Sequence, residues 1–212
     1  NSGVTDEWSL RSYYGRLNYD YKGKYLLEGN ARYDASSRFP ENRKWAFFPS
    51  VSAGWKISDE AFFGERLKET VNEVKLRASI GTLGNQNIGN YPYQTVYSSA
   101  FAYPFEETLQ QGARQVAMAN ERIKWESTKV LDFGIDLGFW NNKLTASFDW
   151  YNKVTSDILS SSTAFPSYIG LTAPTVNYGT LRNRGIELGL QYREKIGEVS
   201  LTLNGNIQAN SN

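Results

Sequence analysis

The chain has 212 residues, enough for one domain with a substantial core, and its 23 basic and 22 acidic residues give a net charge of +1. This balance gives no reason to expect nucleic acid or a strongly acidic partner. The absence of Cys and His excludes a disulfide framework and a cysteine metal site. It also removes the commonest metal ligand and the side chain best suited to acid–base catalysis near neutral pH.

The first part of the chain alternates apolar and polar residues with a period of two, which predicts β-strands. The strands predicted there are residues 13–21, 25–34, 47–57 and 74–80. Lys22-Gly23 predicts a tight turn between the first two strands. Between the third and fourth strands, Ser58 is a candidate N-cap for a short helix over residues 59–68.

The longest non-repetitive region, residues 83–125, contains Gly84-Asn85, Gly89-Asn90 and Pro92 and is predicted to be a loop. The alternation then resumes and predicts four more strands. These are residues 131–139, 144–151, 186–193 and 199–208. A second long loop is predicted over residues 157–180.

Three features of these strands favour a transmembrane barrel. One face of the strands stays apolar, while the polar faces carry charges in mid-strand at Arg32, Arg77, Asp132, Asp136 and Glu187. Short turns alternate with long loops, and aromatic residues crowd the strand ends. The sequence has no run of about 18 apolar residues, so it predicts no transmembrane helix, but a barrel strand is only half apolar and needs none. The fold class predicted is all-β and antiparallel; a soluble β-sandwich for carbohydrate binding or surface attachment is the alternative.

Several blocks of the sequence resemble SusC/RagA-type TonB-linked outer-membrane transporters, and they cover most of the chain in the family's order. The blocks are residues 32–39, 48–55, 76–81 and 84–86, then 125–128, 132–136, 139–144, 148–153, 155–159, 177–179 and 183–188. The resemblance is recognisable at the fifth to seventh strands, which include Asp132-Phe133-Gly134-Ile135-Asp136 and Asn183-Arg184-Gly185-Ile186-Glu187-Leu188.

This resemblance implies an up-and-down barrel of 22 strands in the outer membrane, closed by an amino-terminal plug. It also implies uptake of oligosaccharides or peptides, energy from the TonB complex and a SusD-like surface lipoprotein as partner. About eight strands are predicted here, so residues 1–212 are expected to be a partial barrel domain without the plug, the TonB-contacting segment or a signal peptide. A self-closed eight-stranded barrel is the minor alternative.

The sequence contains no catalytic, cofactor-binding or metal-binding constellation, so we expect a transporter and not an enzyme. Asp132 and Asp136 share a strand face and are predicted to face the lumen, because no third polar ligand is spaced to join them. Arg16, Arg32, Arg77 and Arg193 lie on polar faces, where they are expected to pair with carboxylates.

Aromatic residues of the long loops are the candidates for substrate contact, through stacking on sugar faces or packing on apolar peptide side chains. They are Tyr91, Tyr93, Tyr97, Tyr103, Phe165 and Tyr168. Packing between loops or against a partner lipoprotein is the alternative role. The residues predicted to face lipid are Leu27, Leu76, Phe133, Ile135, Leu188 and Leu201.

Overall fold

The structure is a computed structural model that describes residues 3, 5–161 and 166–212. Within these residues an antiparallel sheet of eight strands, which we call the wall, has the order β1-β2-β3-β4-β7-β8-β11-β12. The wall strands are β1 (Leu10–Tyr21), β2 (Tyr25–Ser36), β3 (Trp45–Lys56), β4 (Val71–Asn85), β7 (Glu126–Phe139), β8 (Leu144–Ser156), β11 (Thr180–Ile196) and β12 (Val199–Ser211). All eight predicted strands are therefore confirmed, each longer than its alternating segment.

The remaining elements lie in the connections. Two separate hairpins are formed by β5 (Val96–Phe105) with β6 (Thr108–Ala117) and by β9 (Leu159–Ser161) with β10 (Thr175–Asn177). The predicted loops at residues 83–125 and 157–180 were thus wrong in part, because each contains strands. In the described part of the chain, no helix combines the length and apolar character needed to cross a membrane.

The register of the wall keeps apolar residues together on one face. Leu76 is opposite Ile135, Ile135 is opposite Phe148, and Phe148 is opposite Leu188. Side chains alternate between faces along a strand, so residues directly opposite one another share a face. The apolar rows of neighbouring strands therefore join into one continuous apolar face.

Exposure is inverted between the two faces of the wall. On the apolar face, Ile80 is 58% exposed and Phe133 is 49% exposed. On the polar face, the side chains of Asp136 and Asp149 are only 31% and 22% exposed. No second sheet covers the apolar face within the described residues. A soluble sandwich would bury these apolar side chains, so the sandwich alternative is not supported.

Among the described residues, three of the four connections at one end of the wall are tight turns and two of the three at the other end are long, close to the predicted alternation. The short-turn end holds the turns at residues 22–24, 140–143 and 197–198, together with the connection at 57–70. The long-loop end holds the connections at 37–44, 86–125 and 157–179. Strands β1 and β12 lie at opposite ends of the strand order and do not pair with each other in the described residues, so a self-closed barrel of eight strands is not observed.

The helix predicted over residues 59–68 is confirmed only in its last turn, and its predicted N-cap was wrong. The connection forms a 3₁₀ turn at Ile57–Asp59 and a single helical turn, α1, at Glu65–Lys68. Ser58 lies inside the 3₁₀ turn and is buried, and the N-cap of α1 is Gly64, which has no side chain to cap it. An isolated helix of ten residues is only marginally stable, and here the chain turns back to enter β4.

A fork opens between β3 and β4 at the long-loop end. Their ladder ends at Ser50 and Gly81, although β3 continues beside β2 and β4 continues beside β7. The ring of Phe48 fills the fork and occupies the space that a Cβ on Gly84 would need. Glycine at position 84 thus allows an aromatic ring to close the gap between two diverging strands.

The fork holds the one buried apolar core that the described residues contain, which we call the rim cluster. It consists of Phe39, Phe48, Ile123 and Trp125. Trp125 also donates its indole N–H to the carbonyl oxygen of Lys44 at 2.9 Å, which satisfies the polar atom of a buried ring. The rim cluster anchors the end of the 86–125 connection against the wall.

Candidate functional site

Arg77 joins three neighbouring strands on the polar face. Its guanidinium donates to both carboxylate oxygens of Asp136 at 2.8 and 2.9 Å, and it lies 2.8 Å from the carboxylate of Asp149. Gly134 lies between Arg77 and Asp149 in the register, and a Cβ there would be 2.7 Å from Cζ of Arg77. The missing side chain lets the long arginine lie along the wall from β4 to β8.

Asp132 and Asp136 share the polar face, as predicted, but they have different surroundings. Asp136 is paired with Arg77, whereas Asp132 lies opposite Ser79 and Tyr151. The described residues contain no group of three or more carboxylate, His or Cys side chains arranged to hold a metal ion. Asp136 is thus held in an ion pair between strands, and Asp132 has polar neighbours on the same face.

Two more of the predicted arginines pair with neighbours on the same face. Arg16 donates to Asn30 at 2.8 Å, and Arg32 lies 2.9 Å from Asp34. A hollow of about 460 Å³ also lies on this face. Its lining includes Asn18, Glu28, Ser52, Lys75, Arg77 and Asp132. The charged and polar side chains in this lining suit a surface that faces an aqueous passage.

Aromatic side chains lie at both ends of the wall, as predicted. Tyr33 and Trp45 stack at the long-loop end with their ring centroids 4.6 Å apart, and Tyr25 and Trp55 stack at the short-turn end at 6.4 Å. Tyr and Trp favour the membrane interface because an apolar ring is joined to a polar tip. The stacked pairs mark the two edges of the apolar band.

Glu60 accepts hydrogen bonds from three side chains at the short-turn end. Its carboxylate accepts hydrogen bonds from the hydroxyl of Tyr25 at 2.6 Å, the indole of Trp55 at 3.2 Å and the ammonium of Lys24 at 3.1 Å. Donors favour the charged form of a carboxylate. The pKa of Glu60 is consequently lowered, first by the Tyr25 hydroxyl and then by Trp55 and Lys24.

The predicted loop aromatics do not form one cluster. Tyr91 and Tyr93 meet edge to face at 6.2 Å, and Tyr93 also packs against the rim cluster. Tyr168 is 88% exposed in a 3₁₀ turn at Ser167–Ile169, within the 157–179 connection. Phe165 lies outside the described residues. Tyr93 is therefore partly a packing residue, whereas Tyr168 is open to solvent.

Tyr97 and Tyr103 lie on opposite faces of the β5–β6 hairpin. Six positions apart, they would share a face in a regular strand, but the register shifts between Ser98 and Phe101. Each is more than half exposed, at 68% for Tyr97 and 54% for Tyr103. The irregularity, which behaves like a β-bulge, re-aims one aromatic side chain relative to the other.

The shift also creates an aromatic face that sequence reasoning missed. Phe101 and Tyr103 share this face with Arg114, whose guanidinium carbon lies 3.9 Å from the centroid of the Phe101 ring. A cation over an aromatic face is attracted by the ring quadrupole. No local signal marks the extra residue in β5, because the segment has no regular alternation from which a break could be read.

A family model described as "TonB dependent receptor-like, beta-barrel" matches residues 1–211. A TonB-dependent receptor of Formosa agariphila is 36% identical over 192 residues, which cover 91% of the chain and 19% of that protein. The TonB-dependent receptor SusC of Bacteroides thetaiotaomicron is 37% identical over 187 residues, covering 86% of the chain and 18% of SusC. The chain thus spans about a fifth of the length of these curated relatives.

Solved structures agree with these relatives. The structure titled "Structure of the RagAB peptide transporter" matches with a TM-score of 0.83 at 26% identity, covering 96% of the chain and 22% of that protein. The siderophore receptor PirA of Pseudomonas aeruginosa matches with a TM-score of 0.58 at 16% identity, which supports the fold alone. The resemblance to SusC/RagA-type transporters is confirmed.

Proposed function

The chain belongs to the TonB-dependent receptor-like β-barrel family, and from this premise we propose that it forms part of the barrel wall of an outer-membrane importer of oligosaccharides or peptides. The family consists of outer-membrane transporters, so the predicted location and the non-enzymatic class are confirmed. The domain proposed for residues 1–212 is a partial barrel, to which other parts of an importer would add the plug and the TonB-contacting segment.

The inverted exposure of the wall is the observation that carries this proposal. Apolar side chains such as Ile80 are exposed on one face, while Arg77 and Asp136 pair on the other. In water this arrangement would leave a large apolar surface uncovered. Against lipid it is favourable, since the hydrocarbon covers the apolar face and the charged face lines a hydrated interior.

Loop aromatics are proposed to contact the substrate above this interior. Tyr97, Tyr103 and Tyr168 are the candidates that the exposure favours, and Tyr91 remains a candidate beside Tyr93. Aromatic rings can stack on sugar faces and can also cover apolar peptide side chains. A SusD-like surface lipoprotein is proposed as a partner at the long-loop end, where the long connections lie.

Uptake by cells that carry the full-length receptor tests the function. Fluorescent oligosaccharides and peptides should enter the periplasm of these cells, and a protonophore that removes the inner-membrane gradient should stop the entry. Cells without the receptor serve as the control. Entry that persists without the gradient would contradict a TonB-dependent importer, and failure to import either class would contradict the proposed cargo.

Replacing an exposed loop aromatic tests the substrate contact. Tyr168→Ala should weaken binding by about 2- to 10-fold if the ring stacks on the ligand, with little loss of stability because the ring is exposed. Tyr19→Ala on the apolar face of the wall is a matched control that should leave ligand affinity unchanged. Equal affinities for Tyr168→Ala and the wild-type receptor would remove Tyr168 from the candidates.

A further inference from the structure

Two long connections, 86–125 and 157–179, are joined along a line that we call the seam. The seam pairs residues 114–126, which include the start of β7, with residues 157–159 and 170–177 of the second connection. Ala117 and Thr172 form a parallel β-bridge, supported by hydrogen bonds from Met118 N to Thr172 O at 3.2 Å and from Thr172 N to Val116 O at 3.0 Å. The base of the β5–β6 hairpin is thereby tied to the neighbouring connection.

Asn177 makes the densest polar contact in the seam. Its carboxamide nitrogen donates to the carbonyl oxygens of Lys124 at 2.8 Å and Asp157 at 2.9 Å. Its carboxamide oxygen accepts the backbone N–H of Lys124 at 2.8 Å. The side chain therefore pairs with both backbone groups of Lys124, as a neighbouring strand would, and uses its second N–H on the start of its own connection.

Hydrogen bonds on either side of Asn177 also join the two long connections. Asn120 donates its side-chain N–H to the carbonyl oxygen of Thr175 at 2.7 Å, and the carboxylate of Glu126 accepts the backbone N–H of Leu159 at 3.0 Å. Lys124 and Asp157 also form an ion pair at 2.7 Å, but both side chains are about two-fifths exposed, so this pair contributes little. The hydrogen bonds of Asn177 are the central link.

We propose that Asn177 is a positioning residue whose carboxamide holds the two long connections together as one body, and thereby sets the place of the β5–β6 hairpin over the long-loop end. The hairpin forms a two-stranded sheet of its own in the described residues, and an isolated hairpin is only marginally stable. Its position therefore depends on its base, where the seam lies. The proposal rests on the proposed import function, because the hairpin carries Tyr97 and Tyr103.

Hydrogen exchange in the full-length receptor measures the link directly. Asn177→Ala removes the acceptor of the Lys124 amide and both donors to the carbonyl groups. Exchange at residues 122–126 should rise by about tenfold or more, because the variant removes three hydrogen bonds at once. Asn72→Ala is a matched control, since Asn72 also joins two segments through its side chain, with bonds to Asn142 at 2.6 and 3.2 Å at the short-turn end.

A second variant keeps the test decisive if Asn177→Ala folds poorly. Asn120→Ala removes one hydrogen bond between the two connections, to Thr175, and a local one from the backbone N–H of Arg122. It should raise exchange at residues 172–177 by a smaller factor. Unchanged exchange across the seam in both variants would overturn the proposal.

Rescue by a disulfide separates positioning from general damage. Residues paired in a β-bridge lie about 5 Å apart, within disulfide range, so Ala117→Cys with Thr172→Cys can replace the lost link. The chain has no other cysteine. Asn177→Ala alone should reduce uptake. In that background the oxidised pair should restore uptake to within about twofold of wild type, and reduction should abolish the rescue.

The outcomes distinguish the two proposals. If exchange rises in Asn177→Ala but the oxidised disulfide restores no uptake, Asn177 is not a positioning residue. If the wild-type receptor imports neither oligosaccharide nor peptide, the proposed function fails, whereas the exchange measurement still decides whether Asn177 holds the seam.

Discussion

Ile80 in the wall and Ile123 in the rim cluster have the same side chain in opposite surroundings. Ile80 is 58% exposed on the apolar face, and Ile123 is 0% exposed among Phe39, Phe48 and Trp125. The wall turns its apolar side chains outward, whereas the long-loop end packs them inward as a soluble protein does. Apolar side chains of the same chain therefore face lipid in the wall, whereas at the long-loop end they are buried away from water.

Truncating the two isoleucines gives the largest expected contrast. Ile123→Ala should destabilise the long-loop end by about 2–5 kcal/mol, because it leaves a cavity among packed rings. Ile80→Ala should cost much less, since lipid tails can fill the space that the removed atoms leave. Urea unfolding of the full-length receptor in lipid vesicles, followed by tryptophan fluorescence, measures both; a larger loss for Ile80→Ala would reverse the comparison.

A charge placed on either face of β4 sharpens the comparison within the wall. Ile80→Arg should cost roughly 2–4 kcal/mol near the bilayer midplane. Ser79→Arg, one residue away on the polar face, lies opposite Asp132 in the register and should be tolerated. Equal losses of folded receptor, measured by heat-dependent mobility on gels, would show that the two faces do not meet different surroundings.

Filling a glycine tests how the polar face is packed. Gly134→Val would place side-chain atoms where Arg77 crosses to Asp149, so the ion pairs must break, at a cost of about 1–3 kcal/mol. Gly29→Val is the control on the apolar face, because nothing lies within 4 Å of its Cβ position. It should be neutral or slightly stabilising, since valine favours strands. Unfolding midpoints in urea should separate the two variants.

Acid should loosen the 57–70 connection, and this is the smallest of the effects that we expect. The pKa of Glu60 is lowered from its ordinary value of 4.5 in the folded chain, so its contribution to stability is full above that value. The contribution is lost as the pH falls through the lower folded pKa. Protease cleavage of this connection should therefore increase below about pH 4.5 in the wild-type receptor. Glu60→Gln should show no such change with pH, and a parallel rise in both proteins would argue against Glu60.

The two regions also differ in what the sequence predicts. The wall strands could be predicted because successive residues face lipid and the polar interior in turn. The adjacent residues Asp132 and Phe133 therefore differ in polarity. The pairing of Arg77 with Asp149 was not predictable, because it depends on register and on the space above Gly134. Sequence patterns thus gave the faces of the wall but not the contacts across strands.

At the long-loop end little of the structure could be predicted. The register shift in the β5–β6 hairpin interrupts any alternation of apolar and polar residues along β5. Tyr97 and Tyr103 could therefore not be assigned to faces from the sequence. From the sequence, Asn177 could be singled out only as part of a block that resembles the family. Its contacts could not be predicted, because its partners lie 20 and 53 positions away in the chain. Long-range hydrogen bonds between loops leave no local signal.

Collision accessibility along β4 tests the two-faced wall most directly. Spin labels on single cysteines at residues 75, 76, 78, 79, 80 and 81 of the full-length receptor in a bilayer would be exposed to oxygen, which concentrates in lipid, and to a water-soluble nickel complex. We predict an alternating pattern, with residues 76, 78 and 80 accessible to oxygen and residues 75, 79 and 81 accessible to nickel. The same accessibility at all six positions would contradict the assignment of the apolar face to lipid and of the polar face to the lumen.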